Sequence, residues 1–171
     1  MTMWTIQLAI AVLLLSGVRP SLPQNQWQVG LQSFGPIRYG MTLTQASAAL
    51  GETITVADSE CDYVGPHALP PGTSLMAIQG RIERVDIDTT GILTRSGVGV
   101  GSTEDEVRRA YPGHIRTEPH PYTGPEGHYL IFVPRDPADT AFSLIFETDG
   151  AKVINYRAGH QPAVGYIEGC S

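Results

Sequence analysis

Apolar and polar residues alternate in two pairs of short runs, each pair turning about a glycine. "SLMAIQ" at 74–79 and "RIERVDID" at 81–88 flank Gly80, with Ile82, Val85 and Ile87 supplying much of the apolar content of the second arm. Alternation of this kind marks a half-buried strand, and the glycine between the arms predicts a tight hairpin. Further on, "AFSLIFE" and "AKVINYRA" flank "TDG" at 148–150, where Asp-Gly is a strong hairpin signal. The apolar segment "HYLIFV" at 128–133 adds a further strand.

The period changes in two places. "YGMTLTQASAALG" at 39–51 and "VGSTEDEVRRAYPG" at 100–113 each place a Thr three residues before a Gln or Glu. Thr42 with Gln45, and Thr103 with Glu106, form capping boxes, in which the Thr hydroxyl and the longer side chain satisfy each other's free backbone N–H groups. Helices are predicted over 43–50 and 104–111, stopped by Gly51 and by Pro112–Gly113. Leu43, Ala46, Ala49 and Leu50 stripe the first; Val107, Ala110 and Tyr111 stripe the second. Helices this short are unstable alone, so each must lie on a sheet.

A third echo joins the two halves: "DYVGPH" at 62–67 returns as "PYTGPE" at 121–126. A capped helix, a Tyr-x-Gly-Pro and a glycine hairpin recurring in one order predict an internal duplication. The expected fold is α+β: two tandem repeats, each a short helix packed on antiparallel strands, over 25–96 and 97–171, in one shared or two abutting sheets. One unit has too little core to stand alone. Two can share a sheet with both helices on one face, leaving the other face outward.

The chain holds 17 acidic and 11 basic residues, a net charge of −6, with no basic stripe, so nucleic acid is not an expected partner. "IQLAIAVLLL" at 6–15 is an apolar run of signal-peptide length, too short for a comfortable membrane span. A signal peptide over 1–24 and a periplasmic or secreted destination follow, an uncleaved anchor being the other reading. No stable membrane insertion is expected after processing. Cys61 and Cys170 are the only cysteines, and an even pair in an exported chain reads as a disulfide, with two free buried thiols as the alternative.

"IRYGMTLTQASAALG" at 37–51 resembles the Gly-Met-Thr opening of small bacterial envelope domains of the SmpA/OmlA outer-membrane assembly lipoprotein type. Two such units in tandem resemble the β-lactamase inhibitory protein architecture. The resemblance departs at Ser102, which stands where Met would, and in having one cysteine pair rather than one per repeat. It implies an envelope or secreted module that works through protein contacts.

His114, His120 and His128, with Glu118 and Glu126 between them, are the place to seek enzyme chemistry. Their spacings match no helix face or tight zinc turn, and Pro119, Pro121 and Pro125 make the stretch a loop. No metal or cofactor is expected, and no catalytic residue is assigned. Asp86 and Asp88 read as a solvated strand face. The better candidate is an interaction surface of Tyr63, His67, His120, Tyr122, Glu126 and His128, carried by the Tyr-x-Gly-Pro loops and the outward sheet face. The expected function is non-enzymatic binding of another protein. The alternatives are a hydrolytic or metal-dependent enzyme using the His114–His128 loop, or a carbohydrate-binding module stacking sugars on Tyr63 and Tyr122.

Overall fold

The structure, a computed structural model, describes residues 26–170; the expected signal peptide over 1–24 lies outside them. The elements run β1 (Ser33–Phe34), β2 (Ile37–Arg38), α1 (Leu43–Leu50), β3 (Cys61–Val64), β4 (Thr73–Ile78), β5 (Arg81–Ile87), α2 (Glu104–Ala110), β6 (Ile115–Pro119), β7 (His128–Phe132), β8 (Phe142–Thr148) and β9 (Val153–His160). The fold is α+β, and seven strands build one antiparallel sheet in the order β3-β4-β5-β9-β8-β7-β6. Among the described residues no helix is long and apolar enough to cross a membrane.

Both predicted hairpins form. Gln79 and Gly80 carry φ of 48° and 76° between β4 and β5, the positive pair that a two-residue hairpin with right-handed twist requires. Between β8 and β9 the Asp149 carboxylate accepts the N–H groups of Ala151 and Lys152 at 2.9 and 2.8 Å, closing the turn. Each capping box is complete. The Thr42 hydroxyl accepts the Gln45 N–H at 3.2 Å, and the Thr42 N–H donates to Gln45 Oε1 at 3.0 Å; Thr103 and Glu106 repeat the exchange at 3.2 and 2.7 Å. Gly51 ends α1 in the left-handed region, at φ 66°.

The two hairpins meet at the sheet centre, where β5 pairs with β9 and Asp86 stands directly opposite Arg157. Gly159 makes that seam possible, since a Cβ there would come within 2.2 Å of the Glu83 carbonyl oxygen. One face of the sheet holds a single core. Leu75, Ala77, Ile82, Val85 and Ile87 pack with Leu130, Leu144, Phe146, Tyr156 and Ala158, beneath Ala46 of α1 and Val107 of α2. The segment before α1 completes it: Trp27, Val29, Phe34 and Ile37 are all buried, with the Trp27 and Phe34 rings 4.9 Å apart.

Three expectations need correction. The second sheet face is not open, because the C-terminal tail lies across its middle. Tyr63 is on strand β3, whereas Tyr122 is in the loop after β6, so the two Tyr-x-Gly-Pro stretches are not equivalent in structure. The His114–His128 stretch is not all loop either. Ile115–Pro119 is an edge strand that ends on its proline, which has no N–H to donate to a ladder.

Candidate binding surface

After β9 the chain passes a cis Gln161–Pro162 peptide and a 3-10 turn at Ala163–Gly165, then runs over the second sheet face to Cys170. Val164 is buried there with Tyr129, Ile131 and Ile145. Cys170 bonds to Cys61 on β3, so the tail is fastened at both ends.

Two buried arginines hold it between those ends. Arg84 donates from Nη1 to the carbonyls of Ala163 and Tyr166 at 3.2 and 2.7 Å, from Nη2 to the Tyr63 hydroxyl at 2.9 Å, and from Nε to Asp86 at 2.9 Å. Arg157 donates from Nε to the Val164 carbonyl at 2.7 Å and from Nη1 to Glu147 Oε1, with its guanidinium over the Tyr129 ring. A strand side chain that is charged and buried needs this full set of partners, since an unpaired charge there is costly. Asp86 is therefore half of a buried ion pair rather than part of a solvated face, while Asp88 is exposed as expected.

His120 is also corrected. It is only 7% exposed, not part of an open surface. Its Nδ1 accepts the backbone N–H groups of Tyr122 and Thr123 at 3.0 and 3.2 Å, which assigns the ring proton to Nε2, 3.1 Å from Glu147 Oε2. The imidazole thus shapes the loop and joins it to the carboxylate that neutralises Arg157. Burial alone would raise the Glu147 carboxyl; the bond from His120, the charge of Arg157 and the bond from Asn155 outweigh it and hold the group below the ordinary carboxylate value.

The other predicted residues separate. Tyr122 is 68% exposed and donates its hydroxyl to Glu168 of the tail. Tyr63 borders the tail at Gly169, where a Cβ would meet the phenol oxygen at 2.8 Å. His67 is exposed in a loop whose N–H groups, its own and that of Ala68, donate to Glu52 just beyond α1. Glu126 is exposed, and its carbonyl leaves no room for a Cβ at Gly150. His128 faces α2, its Nδ1 2.8 Å from Glu104 Oε1. That carboxylate also accepts the Thr148 hydroxyl at 2.6 Å and Arg108 Nη2 at 3.2 Å. His114 stacks on Phe132, with Nδ1 3.0 Å from the Val133 carbonyl.

Tyr63 and Tyr122 are thus the two predicted residues that the structure brings to one feature, the tail. No histidine ring among the described residues bonds to a hydroxyl or thiol, and no group of three or more His, Cys, Asp or Glu there could hold a metal. Sequence reading missed Arg84, Glu147, Arg157, Tyr166, Ile167 and Glu168. A signal existed: "ERVDID" sets Arg84 and Asp86 two apart, on one side of a strand, and "YIE" places adjacent apolar residues in a tail.

No protein-family model matches the chain, and no curated protein does. Two solved structures are similar to it. One is an extracellular protein containing a SCP domain from Bacillus anthracis str. Ames, at 8% identity over 72% of this chain and 44% of that one, with a TM-score of 0.45. The other is the uncharacterized protein yfeY from Escherichia coli, at 12% identity over 78% of this chain and 99% of that one, also with a TM-score of 0.45. The chain spans under half the length of the first. Likeness at this level carries no argument about function.

Proposed function

We propose that the chain is an exported, non-enzymatic module that binds another macromolecule through the strap formed by its C-terminal tail. One observation carries the reading: four large side chains stand exposed along that strap while the groups beneath it are all committed to one another. Tyr63, Tyr122, Tyr166 and Ile167 are between 39% and 68% exposed. Arg84 links the first to the third, bonding the Tyr63 hydroxyl and the Tyr166 carbonyl together. Tyr63 and Tyr122, each held at its hydroxyl, by Arg84 and by Glu168, offer large contact area with little ordering cost on binding. Export is supported by the disulfide, a bond that persists in oxidising compartments.

The tandem SmpA/OmlA-like reading belongs to the same proposal. Its supports are the two complete capping boxes and the two glycine hairpins that meet side by side at the sheet centre. The echo at Tyr-x-Gly-Pro does not support it, since Tyr63 and Tyr122 differ in placement.

Affinity capture from an envelope or extracellular extract tests the binding reading. Mature protein is the bait, against a variant carrying Tyr122→Ser and Tyr166→Ser, whose side chains lie outside the core. Partners recovered by the native bait and lost by the variant are expected; the same partners from both would refute the surface.

A further inference from the structure

Beside the disulfide, between the tail and the approach to β3, lies a groove of about 700 Å³ lined by Asp58, Glu60, Tyr166, Ile167, Glu168 and the disulfide's own cysteines. We infer that this groove takes an extended, basic segment of a partner protein, one that alternates Arg or Lys with an apolar residue. The inference rests on the binding reading above and names the partner's chemistry.

Charge is the first argument. Three carboxylates border the groove, and among the described residues neither Lys nor Arg lines it. The nearby Arg84 is buried and already neutralised by Asp86, so it cannot offset them. The whole chain is acidic, at −6, which adds long-range attraction for a cationic partner. Tyr122 donates to Glu168 and fixes that carboxylate on the strap, and the Glu60 N–H donates to Asp58 at 2.8 Å, fixing the opposite bank.

The apolar part is equally specific. The tail fastens itself through its carbonyls, those of Ala163, Val164 and Tyr166, to the two arginines. This leaves the Tyr166 and Ile167 side chains outward, at 41% and 48% exposed, although nothing in the fastening requires large side chains there. An isoleucine beside a tyrosine on a strap held at both ends is a preformed apolar contact. Between acidic banks it suits a segment whose cations reach the carboxylates while an aliphatic neighbour covers Ile167.

The test uses mature, oxidised protein and a synthetic Arg-Leu-Arg-Leu-Arg peptide labelled with a fluorophore, titrated by anisotropy. Saturable binding is expected, weakened at least tenfold between 50 and 500 mM NaCl, because exposed charges are screened over that range. Asp58→Lys with Glu60→Lys should lose at least tenfold in affinity and gain binding to a Glu-Leu-Glu-Leu-Glu peptide. Ile167→Ser should lose at least threefold without changing the salt dependence. Absence of saturable binding, equal binding of the two peptides, or unchanged affinity in the charge-reversed variant overturns the inference. So does a concentration-dependent dimer in sedimentation that Ile167→Ser abolishes, which would make a second copy the occupant. If the capture experiment yields partners that survive the charge reversal, the groove assignment fails and the binding reading stands. If native bait captures nothing specific, the binding reading itself fails.

Discussion

Arg157 offers the most demanding check on the covered sheet face. Its side chain is 4% exposed and Glu147, its partner, 14%. Arg157→Met keeps the stem and removes the charge, leaving Glu147, among the described residues, with His120 and Asn155 as donors and the Val164 carbonyl without its present bond. Breaking a buried pair by removing one member costs about 3–5 kcal/mol. Because Glu147 keeps two neutral donors, the lower end applies, and the lost Val164 bond brings the expected loss to about 3–4 kcal/mol. Glu147→Leu alone should cost about 3 kcal/mol for the same reason, with the charge left on Arg157. The double variant removes both charges, and its loss should be about 1–2 kcal/mol, well below the sum of the singles. Urea unfolding of the oxidised protein, followed by the fluorescence of the buried Trp27, measures all four corners. A loss under about 1 kcal/mol in Arg157→Met, or a double variant whose loss equals the sum, would refute the pairing argument.

Other expectations follow from particular groups. The Tyr39 hydroxyl is buried with no hydrogen-bond partner among the described residues, so Tyr39→Phe should be neutral or stabilising by up to about 1 kcal/mol, read as a rise in Tm. Glu147 is held below its ordinary value, as is Glu104: burial opposes this, and the Thr148, His128 and Arg108 contacts outweigh it. The stability these carboxylates add is present above their unfolded pKa of about 4.3 and is lost as pH falls through the lower folded values. Unfolding from pH 6 down to pH 2 should show this loss, and Glu147→Gln should flatten it. Burial raises Tyr39 and Tyr156, so their contribution is intact below about pH 10 and falls at higher pH. The core runs through both halves, from Ala46 to Val107 and from Val85 to Phe146, so residues 26–96 expressed alone should show no cooperative unfolding transition.

Local chemistry made much of the fold legible. A Thr three residues before Gln45 or Glu106, and a glycine between alternating runs, specify caps and turns from a few neighbouring residues. The strand carrying Arg84 and Asp86 misled because polar alternation ordinarily means solvent. Here a distant tail supplies carbonyls and covers the arginines, and nothing within β5 announces that. His120 misled likewise: its ring is buried by contacts with Tyr129 on β7 and Glu147 on β8, partners that the local sequence does not announce. Tyr63 and Tyr122 were found by a motif that places them differently, on a strand and in a loop, yet the tail adjoins both. The N-terminal stretch from Trp27 to Ile37 went unread because its strands are two residues long and show no periodicity.

Cys61 and Cys170, 109 positions apart, turn most of the described backbone into a closed ring, with the residues ahead of β3 as a linear lead. One proteolytic nick in the exposed turn around Glu126 would open that ring without releasing a fragment, and the two new ends would stay joined by covalent bonds. Shedding any piece of the sheet takes a second nick, or reduction as well, so proteolysis of this turn alone would leave the molecule's mass essentially unchanged until thiol is added.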